Sequence, residues 1–407
     1  MRLIALAIAG LGLLAGCVVE DVKPLPKVEA TQAVREIPAD QRLDVVVHPF
    51  DAGIPADLAA DEDALAKKRI YPEVRKAEAN YFPVMLRNTL EGSGQWGAVR
   101  VAPDSVKFVD LAVSGRILES TGKHLTLEIT ARDSAGRVWL DARRYDGDGD
   151  VGSYKTDAAL QARDPFQNVF SNIANDLLAA RDKLDAAALR EVRQVTELQF
   201  DADIAPDALS GYLRQDAAAK PPLQHVVRLP ASNDPIATRV QRIRQRDAEV
   251  LDTLDGYYSG FAGQMQQPYG DFRRTSWDEI DKQERALASA RTRTFLGAAA
   301  VAASILAPGG CSSTTTCNLE DAARYAGAIG GITSVLSGLK KYADAKTHAQ
   351  AFGELARSFQ SEVAPQVVDV EGRSLRLTGT AEEQYRQWRQ MLREYQGGEA
   401  PAHNGEP

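Results

Sequence analysis

Apolar residues fall in two rhythms in the first half of this chain, one predicting strands and the other helices. Leu43-Asp44-Val45-Val46-Val47-His48-Pro49-Phe50 is short, β-branched and closed by a turn, which predicts a buried strand, and Gly97-Ala98-Val99-Arg100-Val101 predicts a second. Asp110–Glu119 and His124–Asp133 alternate apolar and polar side chains, as antiparallel partners with one covered face do. After the turn Ser134-Ala135-Gly136, Arg137–Tyr145 returns with Val138, Leu140 and Ala142 on one face. Glu73–Leu90 has helical composition with Pro83 in its middle, predicting either a kink or a restart after Phe82. Asp164-Pro165 opens a further helix, Asp as N-cap and Pro in the first turn, with Phe166, Val169, Phe170, Ile173, Leu177 and Leu178 as its apolar stripe. Strand, helix, strand, three-strand meander and helix predict an α+β unit over 42–200, a mixed sheet with helices packed on it.

From about Asp207 the pattern becomes mainly helical, and 201–396 reads as a second unit. Asp234-Pro235 caps an Arg-rich helix running towards Phe261, and Trp277–Arg293 is another. Phe295–Leu306 is apolar and Ala-rich, and after Pro308-Gly309-Gly310 a long helix starts at Asn318-Leu319-Glu320 and runs to about Glu362. Val367–Val370 and Leu375–Thr378, joined around Glu371-Gly372, predict a terminal β-hairpin. Ala381–Tyr395 predicts a closing helix with Tyr385, Trp388, Met391 and Leu392 at core spacing, ahead of a disordered tail over 397–407.

The opening of the chain has its own logic. Arg2 precedes the apolar run Leu3–Leu13, which is too short to cross a bilayer as a helix. The run ends in Leu14-Ala15-Gly16-Cys17, which resembles the lipobox of bacterial lipoproteins. The resemblance implies that 1–16 is a signal peptide and that Cys17 is diacylglycerylated on sulfur and then acylated on its new amino terminus. With Val18 rather than Asp in the following position, it implies the outer membrane as destination. Residues 17–41, rich in Pro, Lys, Glu and Asp, would then serve as a flexible tether. In an exported chain, Cys311 and Cys317, five residues apart and without a nearby His, read as a small disulfide loop.

A second resemblance rests on a strand ending in Pro49-Phe50, a helix, Trp96 to Val101, Asp110 to Ile117, and Asp133 to Trp139. This order looks like the periplasmic domain of curli-secretion-type lipoproteins. It is similar also to peptidoglycan-synthase (penicillin-binding-protein) activator lipoproteins and to the amino-terminal domain of TolB. It implies a fold over about 43–190 and a habit of binding other envelope proteins, without a catalytic site. The amphipathic strands of the curli channel's barrel are not evident.

At 407 residues the chain is long enough for two domains, and its net charge of −8 argues against a nucleic-acid partner. Ala322, Ala326, Gly330, Ser334 and Gly338 fall four apart, a small-residue stripe suited to close helix packing in a Gly/Ala-rich hairpin over 295–339. That hairpin reads as buried core, with a membrane-dipping or homo-oligomer-forming element as the other reading. Asp146, Asp148 and Asp150 alternate with glycines, and Asp157 falls where the twelfth ligand of a calcium loop would stand. Val151 replaces the glycine such a loop needs, so a solvated acidic loop is the competing reading. His48 and His124 sit on or beside predicted strands as structural histidines. Arg239, Arg242, Arg244 and Arg246 are interleaved with Asp247 and Glu249, which suits a solvated helix face. Nucleophile elbow, zincin, Walker and Cys-x-x-Cys motifs are all missing. The sequence therefore predicts a non-enzymatic, outer-membrane-anchored docking protein without cofactor beyond the covalent lipid. The alternative is a component of a secretion or pore-like assembly.

Overall fold

The computed structural model describes residues 25–154, 163–306, 363–370 and 373–397. Strands β1 (Val45–Val47), β2 (Val99–Val101), β3 (Leu111–Ser120), β4 (His124–Asp133) and β5 (Val138–Asp148) form one sheet in the order β2-β1-β3-β4-β5. β1 lies parallel to both β2 and β3, whereas β3, β4 and β5 form an antiparallel meander. Helices α1 (Glu62–Lys67), α2 (Pro72–Gly92), α3 (Gln167–Arg181) and α4 (Ala186–Ile204) accompany it. The α+β class and the mixed sheet are thus as the sequence predicts.

Pro83 neither kinks the chain into two helices nor restarts it: α2 is continuous through it. A proline removes the N–H that would bond the carbonyl four residues back. Here that carbonyl, on Ala79, accepts instead from the Phe50 N–H at 2.8 Å. The proline therefore frees an acceptor that fastens the end of β1's strand segment to the helix.

The chain beyond residue 181 departs from the pattern-based reading. Ala186–Ile204 is a helix that the sequence reading passed over, although Asp185 caps it by accepting from the Ala188 N–H at 2.8 Å. Leu189, Val192, Val195 and Leu198 are its buried stripe. The region read as helical from 207 also holds a small hairpin, β6 (Leu213–Asp216) with β7 (Leu223–Val226). The three separate helices expected between 235 and 306 are one, α5 (Pro235–Leu306), 72 residues long and therefore ~110 Å. The reason lies in Tyr258, Phe261, Met265, Tyr269 and Phe272, all buried at helical spacing, which carry one apolar stripe across the expected gap. Asp234 caps the start, accepting from Ile236 and Ala237. The hairpin β8 (Gln366–Val370) with β9 (Arg373–Leu377) and helix α6 (Ala381–Gly397) close the chain as predicted.

One hydrophobic cluster joins the two halves. It includes Val47, Phe82, Leu111 and Ile129 from the sheet side, and Val240, Leu254, Tyr269, Trp388 and Leu392 from the helical side. Residue 200 lies inside α4, whose Phe200 packs edge-on against Phe108. The outer edge of the sheet at β2 is met by α5, where Asp255 accepts from the Val101 N–H at 2.7 Å. No helix among the described residues is long and apolar enough to cross a membrane.

Candidate functional site

The acidic run is loop only at its end, Gly149 and Asp150. β5 extends through Asp148, so Asp146 and Asp148 are strand residues. Asp146 accepts from Thr126 Oγ1 at 2.8 Å and from Arg144 Nε at 2.9 Å. Asp148 meets His124 Nδ1 at 2.6 Å, and Asp150, buried, accepts from the Gly152 N–H at 2.9 Å. The three carboxylates thus face separate partners rather than one cation, and among the described residues no group of three acidic, His or Cys side chains is placed to hold a metal. Asp157 lies outside the described residues. So do Cys17, Cys311, Cys317 and the stripe Ala322, Ala326, Gly330, Ser334 and Gly338.

His124 opens β4 and bridges two elements. Its Nδ1 is on Asp148 and its Nε2 lies 3.2 Å from Glu284 of α5. Lys123 Nζ donates to Asp281 at 2.9 Å and to Glu284 at 2.6 Å. With both ring nitrogens engaged by carboxylates, the imidazole serves as a bridge between sheet and helix. Burial opposes ionisation of Glu284, but the hydrogen bonds from Lys123 and His124 prevail and hold its carboxyl below the usual range. His48 is similarly occupied, its Nδ1 lying 3.1 Å from the Ala102 carbonyl. Arg244 pairs with Asp201 at 3.4 Å and Arg246 with Glu249 at 2.7 Å, so both of these arginines are engaged in ion pairs within the chain.

Two buried carboxylates clasp the helices to the body: Glu78, and Asp247, which the Arg-rich pattern assigned to a solvated helix face but which the structure buries against α6. Glu78 of α2 accepts from Tyr269 OH at 2.6 Å and from Ser120 Oγ at 2.7 Å, joining α2, α5 and β3. Asp247 of α5 accepts from Trp388 Nε1 at 2.8 Å and from Tyr385 OH at 3.3 Å, both on α6. Burial pushes both carboxyls above their ordinary range, against the pull of Arg75 on the first and Arg389 on the second. Nearby, Arg273 of α5 donates to Asp164 at 2.9 Å and lies over the Tyr269 ring. A polar residue inside an apolar stripe was the available signal, since a buried charge is kept only where partners meet it.

The segment expected to be a free tether is held by the body from residue 26 onward. Asn168 of α3 accepts from the Val28 N–H at 2.9 Å and donates to the Pro26 carbonyl at 2.9 Å. Asn175, two turns further on, accepts from the Thr31 N–H at 2.8 Å and donates to the Glu29 carbonyl at 3.0 Å. Arg163 donates to the Val28 carbonyl at 2.7 Å, Gln95 to that of Thr31 at 3.3 Å, and the Ala33 N–H to Ser93 at 2.9 Å. Composition alone misses this grip, because most of its contacts run to backbone; the Thr31 hydroxyl adds one, donating to Asn175 Oδ1 at 3.0 Å.

No protein-family model matches the chain, and no curated protein matches it. Among solved structures it is similar to a PelC dodecamer from Paraburkholderia phytofirmans, with 14% identity over 37% of this chain and 94% of that one, and a TM-score of 0.22. A likeness at that score decides nothing about fold or function.

Proposed function

We propose that the chain is a lipid-anchored protein of the bacterial envelope, held at the outer membrane through Cys17, which docks other envelope proteins and catalyses no reaction. The observation that carries this reading is the run Leu14-Ala15-Gly16-Cys17, whose cysteine stands nine positions ahead of Pro26, the first residue gripped by the body among those described. Anchoring of this kind acts by raising the effective concentration of the body near partners in the same compartment. The resemblance of 43–190 to periplasmic docking domains supports the same reading. So does the use of His124, Glu78 and Asp247 to hold elements together. A second reading, assembly into a secretion or pore-like homo-oligomer, is favoured by one feature: the apolar segment Phe295–Leu306 is the far end of the same helix that is clasped to the body.

The test is a version exported by a cleavable, non-lipid signal with Cys17→Ser, fractionated after alkaline carbonate extraction. Release into the soluble periplasm is expected. Retention in the membrane would overturn the lipid as sole anchor and favour assembly through the hairpin. Hydrolysis of cell-wall fragments by the purified protein would overturn the non-enzymatic reading.

A further inference from the structure

The two asparagines on α3 are matched to an extended peptide by geometry. Residues 168 and 175 are seven apart, so they stand on nearly one face and about 10.5 Å apart along the helix axis. The peptide groups they grip, Pro26 to Val28 and Glu29 to Thr31, are three residues apart, and three residues of extended chain advance about 10 Å. Each side-chain amide offers one acceptor and a donor pair, and each uses both kinds on one stretch of backbone. The side chains of Pro26, Lys27, Glu29 and Thr31 are exposed, so little apolar burial holds the segment down. Its grip comes from hydrogen bonds that water can replace, each contributing modestly in net terms.

We propose that the Asn168–Asn175 face of α3 is a docking site for an extended peptide, that its occupant is the chain's own arm, residues 26–31, and that release of this arm lengthens the leash on the body. The docking stands on the hydrogen bonds alone, whereas the leash rests on Cys17 being the membrane anchor. With the arm docked, nine residue steps lead from Cys17 to Pro26 and span at most ~30 Å. With it released as far as Ala33, where the N–H is held by Ser93, sixteen steps span at most ~55 Å. Docking therefore keeps the body close to the bilayer, and a partner that displaces the arm lets it reach nearly twice as far.

The test uses the full chain without lipid (Cys17→Ser) and reads amide exchange at Val28 and Thr31 together with trypsin cleavage after Lys27. Asn168→Ala with Asn175→Ala is expected to speed exchange at both amides about tenfold or more and to speed cleavage in parallel. Thr31→Pro removes both donors that reach Asn175 from the arm, the Thr31 N–H and its hydroxyl, without touching α3 or the Lys27–Val28 bond, and is expected to speed cleavage alike. Lys27→Ala, read by exchange alone, is expected to change nothing, since the asparagines take the backbone on either side of Lys27 and the Thr31 hydroxyl. Unaltered exchange in the asparagine variant, with unaltered cleavage in the proline variant, would overturn the docking. Protection that disappears on dilution would assign the arm to a second copy and overturn docking within one chain. For the leash, lipidated protein carrying a dye at Val367 is placed in vesicles containing a lipid acceptor dye. The asparagine variant is expected to show weaker energy transfer than the parent. Equal transfer would overturn the leash while leaving docking intact, and failure to bind vesicles would instead overturn the anchor reading.

Discussion

Replacing Asp247 by alanine should undock the closing helix. The carboxylate is buried and receives Trp388 Nε1 at 2.8 Å, Tyr385 OH at 3.3 Å and Arg389 at 3.5 Å. Alanine leaves the indole N–H and the phenol without their acceptor in the interior, and leaves Arg389 paired with Asp203 and stacked on Phe108 and Phe200. Removing one side of a buried, hydrogen-bonded ion pair costs about 3–5 kcal/mol. The loss should fall first on α6, because all three donors lie there and little else of the body depends on them. Urea unfolding would measure the total, and hydrogen exchange of peptides from 381–397 would locate it. Asp247→Asn, which keeps an acceptor for the indole, should lose less than alanine, about 1–2 kcal/mol. A variant Asp247→Ala within 1 kcal/mol of the parent, with unchanged protection of α6, would refute the idea that this cluster is the clasp.

Two further outcomes follow from the packing around the sheet. Asp110 is buried and its carboxyl is pushed up to about 6, chiefly by burial. A carboxyl raised on folding favours the folded state most at low pH and loses that contribution as pH rises from about 4 through 6, about 3 kcal/mol in all. Asp110→Asn should therefore gain stability relative to the parent across that window, and parallel pH profiles in denaturant titrations would refute this. Gly122 sits where a Cβ would lie 2.0 Å from the Arg273 carbonyl oxygen and 2.6 Å from the Trp277 nitrogen, both backbone atoms of α5. Gly122→Ala should cost about 1–3 kcal/mol by prising the β3–β4 turn from that helix, read as a fall in thermal midpoint. An unchanged midpoint would show that the turn yields freely.

Hydrophobic period and local chemistry were enough for some of these elements. Alternation placed β4 at its observed bounds, Asp234 and Pro235 marked the start of α5, and Tyr385, Trp388 and Leu392 were recognisable as the buried side of α6. These features are set within a few residues of chain, so a window of sequence contains their cause. The tertiary structure decided the rest, because its causes lie far apart in sequence. Whether Pro83 broke its helix depended on Phe50, whose N–H takes the carbonyl that the proline leaves free. Whether α5 was three helices or one depended on the continuous core it leans against, a surface assembled from the whole sheet domain. Whether Asp146, Asp148 and Asp150 could converge on a cation depended on Thr126, Arg144 and His124, which claim two of them from neighbouring positions in the sheet, while the backbone of Gly152 holds the third. The arm was legible only as polar and Pro-rich, since composition sees side chains. Its docking is a match between helical rise and extended-chain rise, written in backbone groups that every sequence shares.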